Sequence, residues 1–189
     1  MKEANRISDA IERVLLDEVA IDDRVRKLAA QISADYADIM YGDGGVVLVG
    51  VLKGAFVFLA DLARRIAIPH HVDFIALSSY NAARTTGEVR LIMDSRINIA
   101  DRHVLIVEDI VDTGHTLDYL LRTFRARHPC SLRSCVFLSK PDRRQVEVTI
   151  DYLGFEIPDV WVVGYGLDYA DRYRMLPYIG ALKREVYEK

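Results

Sequence analysis

Three carboxylates and a threonine-rich turn lie together where an apolar run of the sequence ends. Glu108, Asp109 and Asp112 follow the β-branched run 104–107, and the turn 112–116 leads into an amphipathic stretch. A buried parallel strand delivers side chains to its carboxyl end, which is where open α/β sheets bind ligands. The pattern therefore predicts a binding site at the end of this strand.

The turn itself contains groups that suit a phosphate. Thr113 and Thr116 carry hydroxyls, Gly114 allows close approach, and the predicted helix behind them begins with backbone N–H groups that have no intrahelical partner. The carboxylates suit hydroxyl donors, a divalent cation or a proton instead. A ligand with both a phosphate and a hydroxylated, metal-bound part uses all of these groups, and a phosphorylated ribose is the simplest candidate.

A purely structural interpretation of the turn is also open. Side-chain oxygens of Asp and Thr often cap a helix by accepting from its first N–H groups, and Asp112 or Thr113 taken singly fits that role. A cap needs one oxygen, however, and this turn offers several. Capping alone therefore does not account for the whole stretch.

Strands and helices alternate along the chain, which predicts an α/β fold with a mainly parallel sheet flanked by helices. The predicted strands are 46–51, 72–78, 90–93, 104–107, 134–138 and 160–165. The predicted helices are 56–67, 117–127 and 21–39, the last with Asp22 or Asp23 as its cap. The alternating stretch 146–150 is either an edge strand or part of a small cap. No linker or repeat interrupts 1–189, so we expect one domain.

Composition argues against several classes of protein. Lys and Arg total 25 against 28 Asp and Glu, and no basic run occurs, so we expect no nucleic-acid partner. No stretch approaches the ~20 apolar residues of a membrane helix, and the first residues lack a signal-peptide pattern, so we expect a cytoplasmic protein without a membrane partner. Cys130 and Cys135 are too few for a disulfide framework and are expected to be structural thiols, Cys135 within a strand.

Two other nucleotide-binding patterns and one phosphoacceptor pattern fail on spacing. The turn 112–116 lacks the first glycine and the lysine of a P-loop, and no Gly-x-Gly-x-x-Gly opens a helix. A phosphoacceptor receiver domain needs an acidic pair near the start of the chain, whereas these carboxylates share one turn.

The stretch 108–114 resembles the 5-phosphoribosyl-1-diphosphate (PRPP) binding motif of the type I phosphoribosyltransferases. Its amino-acid sequence resembles that of the hypoxanthine–guanine branch in particular. Further motifs match in the same order, at 50–55, 78–80 with 86–87, 139–144 and 158–169. The resemblance covers about residues 10–180. It implies the family's single-domain α/β fold with a small hood and a mobile loop over the site, and a homo-oligomer, either a dimer or a tetramer. The implied activity is Mg²⁺-dependent purine salvage, in which hypoxanthine or guanine and PRPP become IMP or GMP and pyrophosphate.

Matched positions imply a role for each residue of the site. Glu108 and Asp109 would bind the ribose hydroxyls and Mg²⁺, Asp168 would bind a second Mg²⁺, and Asp112 would be the catalytic acid/base at the purine N7. The 5′-phosphate would be bound by Thr113, Gly114, His115 and Thr116. Pyrophosphate would be bound by Leu52, Lys53, Gly54 and Arg174. The purine would contact Lys140, Trp161 and Val162, and the closing loop would begin at Ser79 and Tyr80.

Three of these residues have a structural alternative. His115 departs from the Lys or small residue of many relatives, and we expect its side chain to face solvent while its backbone N–H binds the phosphate. Trp161 is either a core residue or a platform on which the purine stacks, and we favour stacking. Lys53 is either a solvated turn lysine or a pyrophosphate ligand; its matched position favours the ligand, and the peptide before it is often cis in relatives.

Residues 171–173, which separate Asp168 from Arg174, are expected to be surface residues. A rival hypothesis from another class is a regulatory RNA-binding protein on the same fold. Such a protein should present a basic face, and the net charge of −3 argues against it.

Overall fold

A computed structural model of the protein describes residues 7–39, 44–79 and 89–188. Its centre is a six-stranded sheet in the order β4-β3-β2-β5-β6-β7. The strands are β2 (Val46–Leu52), β3 (His70–Ser79), β4 (Val89–Met93), β5 (His103–Val111), β6 (Ser131–Ser139) and β7 (Tyr152–Glu156). All neighbours pair in parallel except β4, which runs antiparallel to β3 at the edge. The predicted mainly parallel sheet is confirmed.

Helices cover both faces of this sheet. They are α1 (Glu18–Asp35) and α2 (Phe56–Ala63) on one face and α3 (His115–Arg125) on the other. The short α4 (Arg184–Tyr187) packs elsewhere, near Val163 and Leu182. Residues of β2 alternate between two buried clusters: Val46 and Leu48 pack with α1 and α2, whereas Val47 and Val49 pack with α3. Because a strand points successive side chains to opposite faces, the continuous apolar run of β2 is what a strand covered on both sides requires.

A second, three-stranded antiparallel sheet forms the hood. It consists of β1 (Ile11–Leu16), β9 (Ile179–Leu182) and β8 (Val162–Val163). The predicted strand 160–165 is therefore too long, and what remains of it lies in the hood. Gly164, with φ +99°, ends β8, and the apolar residues beyond it are buried in a loop rather than paired in a ladder.

Two helix boundaries differ from their predicted positions. The cap of α1 is Asp17, whose Oδ1 accepts from Ala20 N–H at 2.8 Å, so the prediction of Asp22 or Asp23 is wrong. Those two carboxylates instead pair with Arg26 and Lys27 one turn further on, each at 2.7 Å. Helix α1 ends at Asp35 and α2 at Ala63, both earlier than predicted. Beyond α2, Ala67 N–H donates to the Ser33 hydroxyl at 2.9 Å.

Strand β5 is longer than predicted, and this changes the position of the site. Glu108 pairs with Val136 and Ile110 with Leu138, so Glu108 and Asp109 lie within the strand rather than after it. The stretch 146–150 is not a strand; Val148 and Ile150 pack over the α3 side of the core. Cys135 is buried in β6 as predicted, and burial raises the pKa of its thiol.

Part of the predicted closing loop lies outside the described residues, including Tyr80 and the motif at 86–87. Ser79 is the last residue of β3. Across the ranges that the structure describes, no helix combines the length and the apolar character needed to cross a bilayer.

Candidate active site

The carboxyl ends of β2, β5 and β6 are adjacent in the sheet and carry most of the predicted site residues. Lys53 follows β2, Asp112 follows β5 and Lys140 follows β6. The backbone N–H of Lys140 donates to the Val111 carbonyl at 3.0 Å, so β5 and β6 remain hydrogen-bonded as far as the site. Parallel pairing thus brings together residues that are 87 positions apart, from 53 to 140.

Glu108 is a buried carboxylate without a complete set of partners. It is 4% exposed, and its Oε2 has no hydrogen-bond partner among the described residues. Burial raises the pKa of Glu108 well above its ordinary value, and the charge of Asp109 raises it further. Buried acceptors in native proteins are normally satisfied, so this oxygen is suited to accept from a ligand hydroxyl or to bind a cation.

Asp109 is packed against the loop that follows β2. A Cβ atom at Gly54 would lie 1.6 Å from Asp109 Oδ2, so only glycine leaves room for this carboxylate. Burial raises the pKa of Asp109 to about 6; hydrogen bonds from backbone N–H groups and the charge of Arg174 oppose the rise, and Asp168 adds to it. The pair Glu108 and Asp109 is therefore costly to bury and is positioned with little freedom.

The turn after β5 has the geometry of an anion site. Gly114 is the N-cap of α3, with φ +94°. Among the described hydrogen bonds, no N–H of α3 donates to the side chain of Asp112 or Thr113, so the capping interpretation of these residues is wrong. The N–H groups of Gln145 and Val146 donate to the Thr113 carbonyl at 2.9 and 3.1 Å and hold the turn in place. A Cβ at Gly114 would lie 2.5 Å from the Val146 carbonyl oxygen. The first N–H groups of α3 thus remain available at a fixed position.

Two further side chains support this turn. His115 is exposed, as predicted, and its Nε2 lies 3.2 Å from Gln145 Oε1. Arg144 lies behind Gly114 and donates from Nη2 to Ser139 Oγ at 2.7 Å. Its Nη1 is buried and has no hydrogen-bond partner in the part of the chain that the structure describes. The charge of Arg144 opposes the rise in the pKa of Glu108. Sequence reasoning gave Arg144 no role, although it ends the matched stretch 139–144.

Asp112 belongs to a chain of four charges around a cavity of about 340 Å³. Its Oδ1 accepts from Arg143 Nε at 3.1 Å; Arg143 Nη1 lies 3.8 Å from Asp159 Oδ2, and Lys140 Nζ lies 3.7 Å from Asp159 Oδ1. Lys140 is 8% exposed, so its ammonium is largely removed from water. The structure brings Asp112 and Lys140 into one cavity and adds Arg143 and Asp159, which sequence reasoning missed.

Trp161 lines the same cavity. It is 46% exposed, so the alternative of a core tryptophan is wrong. Its ring stacks on Tyr187 of α4, with centroids 5.5 Å apart and an interplanar angle of 26°, and meets Tyr169 edge-on at 5.6 Å. The neighbouring Val162 is buried in β8. An indole held by two aromatic rings while almost half exposed is a ready platform for a planar ligand.

A second cavity, of about 480 Å³, lies between Lys53 and the loop that precedes β9. The Leu52–Lys53 peptide is cis, and Leu52 is half-buried. Arg174 Nη2 lies 2.6 Å from Asp168 Oδ1, and its Nη1 donates to the Gly166 carbonyl at 2.6 Å. Asp171, expected to be only a surface residue, is exposed but contacts both Lys53 and Arg174.

The acidic residues fit Mg²⁺ only in part. Among the described residues, no group of three or more His, Cys, Asp or Glu side chains is arranged to hold a metal ion without other ligands. Asp168 is paired with Arg174, whereas Glu108 Oε2 has no hydrogen-bond partner among the described residues, and Asp109 accepts only from backbone N–H groups. Protein Mg²⁺ sites often use one or two carboxylates and take the other ligands from substrate phosphates and water. The pair at 108 and 109 matches that donor set.

Comparison with known proteins gives a consistent result. A family model described as the phosphoribosyl transferase domain matches residues 14–170. The hypoxanthine-guanine phosphoribosyltransferase of Bacillus subtilis is 45% identical over 179 residues, which are 94% of this chain and 97% of that protein. The Trypanosoma cruzi hypoxanthine phosphoribosyltransferase, in complex with the product IMP, superposes with a TM-score of 0.88 at 42% identity and covers 95% of this chain and 98% of that one. Another structure of that enzyme, from work on how its C-terminal region affects oligomeric state and activity, matches with the same TM-score and identity and covers 95% of both chains.

Proposed function

This chain belongs to the phosphoribosyltransferase family, and we propose that it converts hypoxanthine or guanine, together with PRPP, into IMP or GMP and pyrophosphate. The relatives named for this activity match nearly the whole chain, which supports the proposal. PRPP and Mg²⁺ are the finer parts of the proposal and rest on the chemistry of the site.

One observation carries the proposal: a single edge of the sheet presents three kinds of group, each suited to one part of the reactants. The turn at Gly114 offers backbone N–H groups to a 5′-phosphate, and Lys53 with Arg174 offers cations to a diphosphate. The cavity with Lys140 and Trp161 offers a donor and a flat surface to a purine. No single smaller ligand would use all three.

Glu108 and Asp109 would act on the ribose between these parts. Displacement at the anomeric carbon builds positive charge on the sugar ring. Two adjacent carboxylates, Glu108 buried and Asp109 half-buried, stabilise that charge more in the transition state than in the ground state. They would also hold Mg²⁺, which, when bound, neutralises the charge of the diphosphate as it leaves. The unpaired Oε2 of Glu108 supports this assignment.

Lys140 and Asp112 would recognise and activate the base. An ammonium donates to the O6 acceptor of hypoxanthine or guanine but offers no acceptor to the amino group of a 6-aminopurine. Because Lys140 is largely buried, leaving it unpaired beside a wrong base costs more than it would at the surface. Asp112 would accept and return the proton at N7, and its bond to Arg143 orients the carboxylate toward the cavity.

The predicted partners are small molecules. A homo-oligomer, dimer or tetramer, stays a prediction that multi-angle light scattering on the purified protein would check. The cytoplasmic location, the absence of nucleic-acid and membrane partners, and the closing role of Ser79 and Tyr80 also stay predictions.

Steady-state turnover with a panel of bases tests the proposed function. We expect pyrophosphate release with hypoxanthine or guanine when PRPP and Mg²⁺ are present, little with adenine, and loss of turnover when a chelator removes the metal. Turnover with xanthine would show which substituents the site accepts at the 2-position of the purine. If only orotate or another pyrimidine were consumed, the assignment to the purine branch would be wrong.

A further inference from the structure

Asp171 lies between the two cations that the proposed function assigns to diphosphate. Its Oδ1 is 3.3 Å from Lys53 Nζ and 3.2 Å from Arg174 Nη2. The two cations come from separate parts of the chain, one from the end of β2 and one from the loop before β9. A single oxygen that pairs with both occupies a position suited to a phosphate oxygen.

The turn that carries Asp171 fixes its backbone at this position. Tyr169 and Arg172 exchange backbone hydrogen bonds of 3.1 and 3.0 Å, and the two residues between them, Ala170 and Asp171, have φ of +51° and +57°. Positive φ at both central residues is typical of a type I′ turn, in which Asn, Asp and Gly are preferred. The Asp171 N–H also donates to Asp168 Oδ2 at 2.8 Å. The position of the carboxylate is therefore a property of the turn.

We propose that Asp171 is an internal competitor of diphosphate. In the unliganded protein its carboxylate pairs with Lys53 and Arg174, and diphosphate oxygens displace it when PRPP or pyrophosphate binds. The inference rests on the diphosphate subsite of the proposed function. Asp171 is thus a positioning residue, since it acts through two cations and not on the reacting atoms.

Charge and exposure set the size of the effect. Pyrophosphate carries several negative charges and displaces one carboxylate readily. The side chains of Lys53 and Asp171 are 70% and 73% exposed, and ion pairs in such surroundings are weak. The competition therefore lowers the affinity for pyrophosphate only by roughly threefold to tenfold. Arg174, 16% exposed and also bound to Asp168, stays in place when Asp171 leaves.

The competition has a consequence for product release. As pyrophosphate dissociates, the Asp171 carboxylate pairs again with Lys53 and Arg174, so each cation regains the partner that the diphosphate had displaced. Product release limits turnover in many enzymes, and a group that weakens product binding shortens that step. Removing the carboxylate should accordingly prolong the pyrophosphate complex.

Asp171→Asn tests the inference directly. Asn is nearly the same shape and is among the residues that best tolerate positive φ, so the turn should form. We expect calorimetric titration with inorganic pyrophosphate and Mg²⁺ to show binding roughly threefold to tenfold tighter than in the wild type. Asp23→Asn, which removes an exposed carboxylate paired with Lys27 on α1, controls for the loss of one charge and should leave the affinity unchanged. Asp171→Gly is the second variant, because glycine adopts positive φ without strain.

A Lys53→Met background separates competition for the cation from simple repulsion between charges. If Asp171 acts by pairing with Lys53, Asp171→Asn should gain less than half as much affinity in that background. Equal gains in both backgrounds, or no gain in the wild-type background, overturn the inference. Failure of the proposed function looks different: a wild-type protein that binds no pyrophosphate lacks the subsite altogether, and the inference falls with it.

Discussion

The carboxylate of Asp112 does not cap the helix that follows it, because the N-cap of α3 is Gly114 and no described N–H of α3 donates to Asp112. Its one described hydrogen bond comes from Arg143, and it lines the cavity that also contains Lys140 and Trp161. At the scale of single residues, this position decides whether the protein uses acid/base chemistry.

Asp112→Asn should abolish most of the activity without unfolding the protein. An amide still accepts the hydrogen bond from Arg143 but cannot take up or return a proton near neutral pH. We therefore expect kcat for hypoxanthine to fall by on the order of 10²–10⁴. The melting temperature and the KM for PRPP should stay close to wild type, since the ion pair with Arg143 is half-exposed.

Asp159→Asn is the matched control for this prediction. It removes the one carboxylate that lies near both Arg143 and Lys140, and it leaves the proposed proton acceptor, Asp112, in place. We expect an effect mainly on the KM for the base. A fall in kcat as large as that of Asp112→Asn would mean that the charge network, rather than proton transfer, accounts for the loss.

At the scale of elements, the turn between β5 and α3 depends on one glycine. Gly114 has φ +94°, and a Cβ there would lie 2.5 Å from the Val146 carbonyl. Any other residue at 114 would therefore have both a strained backbone and a steric clash in this turn. The segment after the 3-10 helix Pro141–Arg143 is therefore part of the site, even though it contains no strand.

Gly114→Ala should damage both the fold and the phosphate site. We expect a loss of about 1–3 kcal/mol in the free energy of unfolding and a rise of more than about tenfold in the KM for PRPP. Thr116→Ala on the same turn removes a hydroxyl but no backbone N–H, so its melting temperature should not change and its KM should rise only a few-fold. If the two variants raised the KM equally, the hydroxyl and not the backbone would be the main phosphate ligand.

At the scale of the whole molecule, ionised carboxylates contribute to the free energy of unfolding with different signs: those of the site lower it, and others raise it. Burial raises the pKa of Asp109 to about 6, so its ionised form destabilises the folded protein. Asp94 is the opposite case: hydrogen bonds from Arg127, at 2.8 and 2.9 Å, lower the pKa of that carboxyl. One protein thus contains carboxylates whose ionisation affects folding with opposite signs.

Asp109→Asn should stabilise the metal-free protein while it removes activity. Because the folded pKa of Asp109 is raised, ionisation of this carboxyl lowers the free energy of unfolding. This destabilisation is absent below the unfolded pKa of about 4, grows as the pH rises to the folded pKa of about 6, and is constant above it. We expect the variant to gain on the order of 1–2 kcal/mol at pH 8, measured by urea unfolding with a chelator present, and to gain little near pH 4.

Asp94→Asn gives the control of opposite sign. Since the folded pKa of Asp94 is lowered, its contribution is present above the unfolded value and is lost as the pH falls through the folded one. This variant should be less stable than the wild type at pH 8, by a small amount because the pair is partly exposed, and the difference should shrink in acid. A gain of stability at pH 8 in both variants would point to a general effect of negative charge.

The type of fold could be predicted from the sequence, and so could the residues that form the central part of the candidate site. Continuous apolar runs such as 46–51 are unambiguous because a strand buried on both faces has no polar positions. The stretch from Glu108 to Thr116 is contiguous, so its chemistry could be predicted without knowing any long-range contact. Resemblance to the family supplied Lys53, Lys140, Trp161 and Arg174 in the same way, from local motifs.

The side chains that meet across the sheet edge could be identified only from the folded structure. Asp112 pairs with Arg143, 31 positions further along the chain, and Arg143 in turn lies near Asp159, a further 16 positions along; no local pattern links the three residues. Asp171 appears in the sequence as one polar residue among several, and its two cations come from separate elements. Hood strands β1, β8 and β9 were missed or misplaced because they are short and their apolar residues lack a strict alternation. Such contacts depend on strand order and register, which a one-dimensional pattern does not specify.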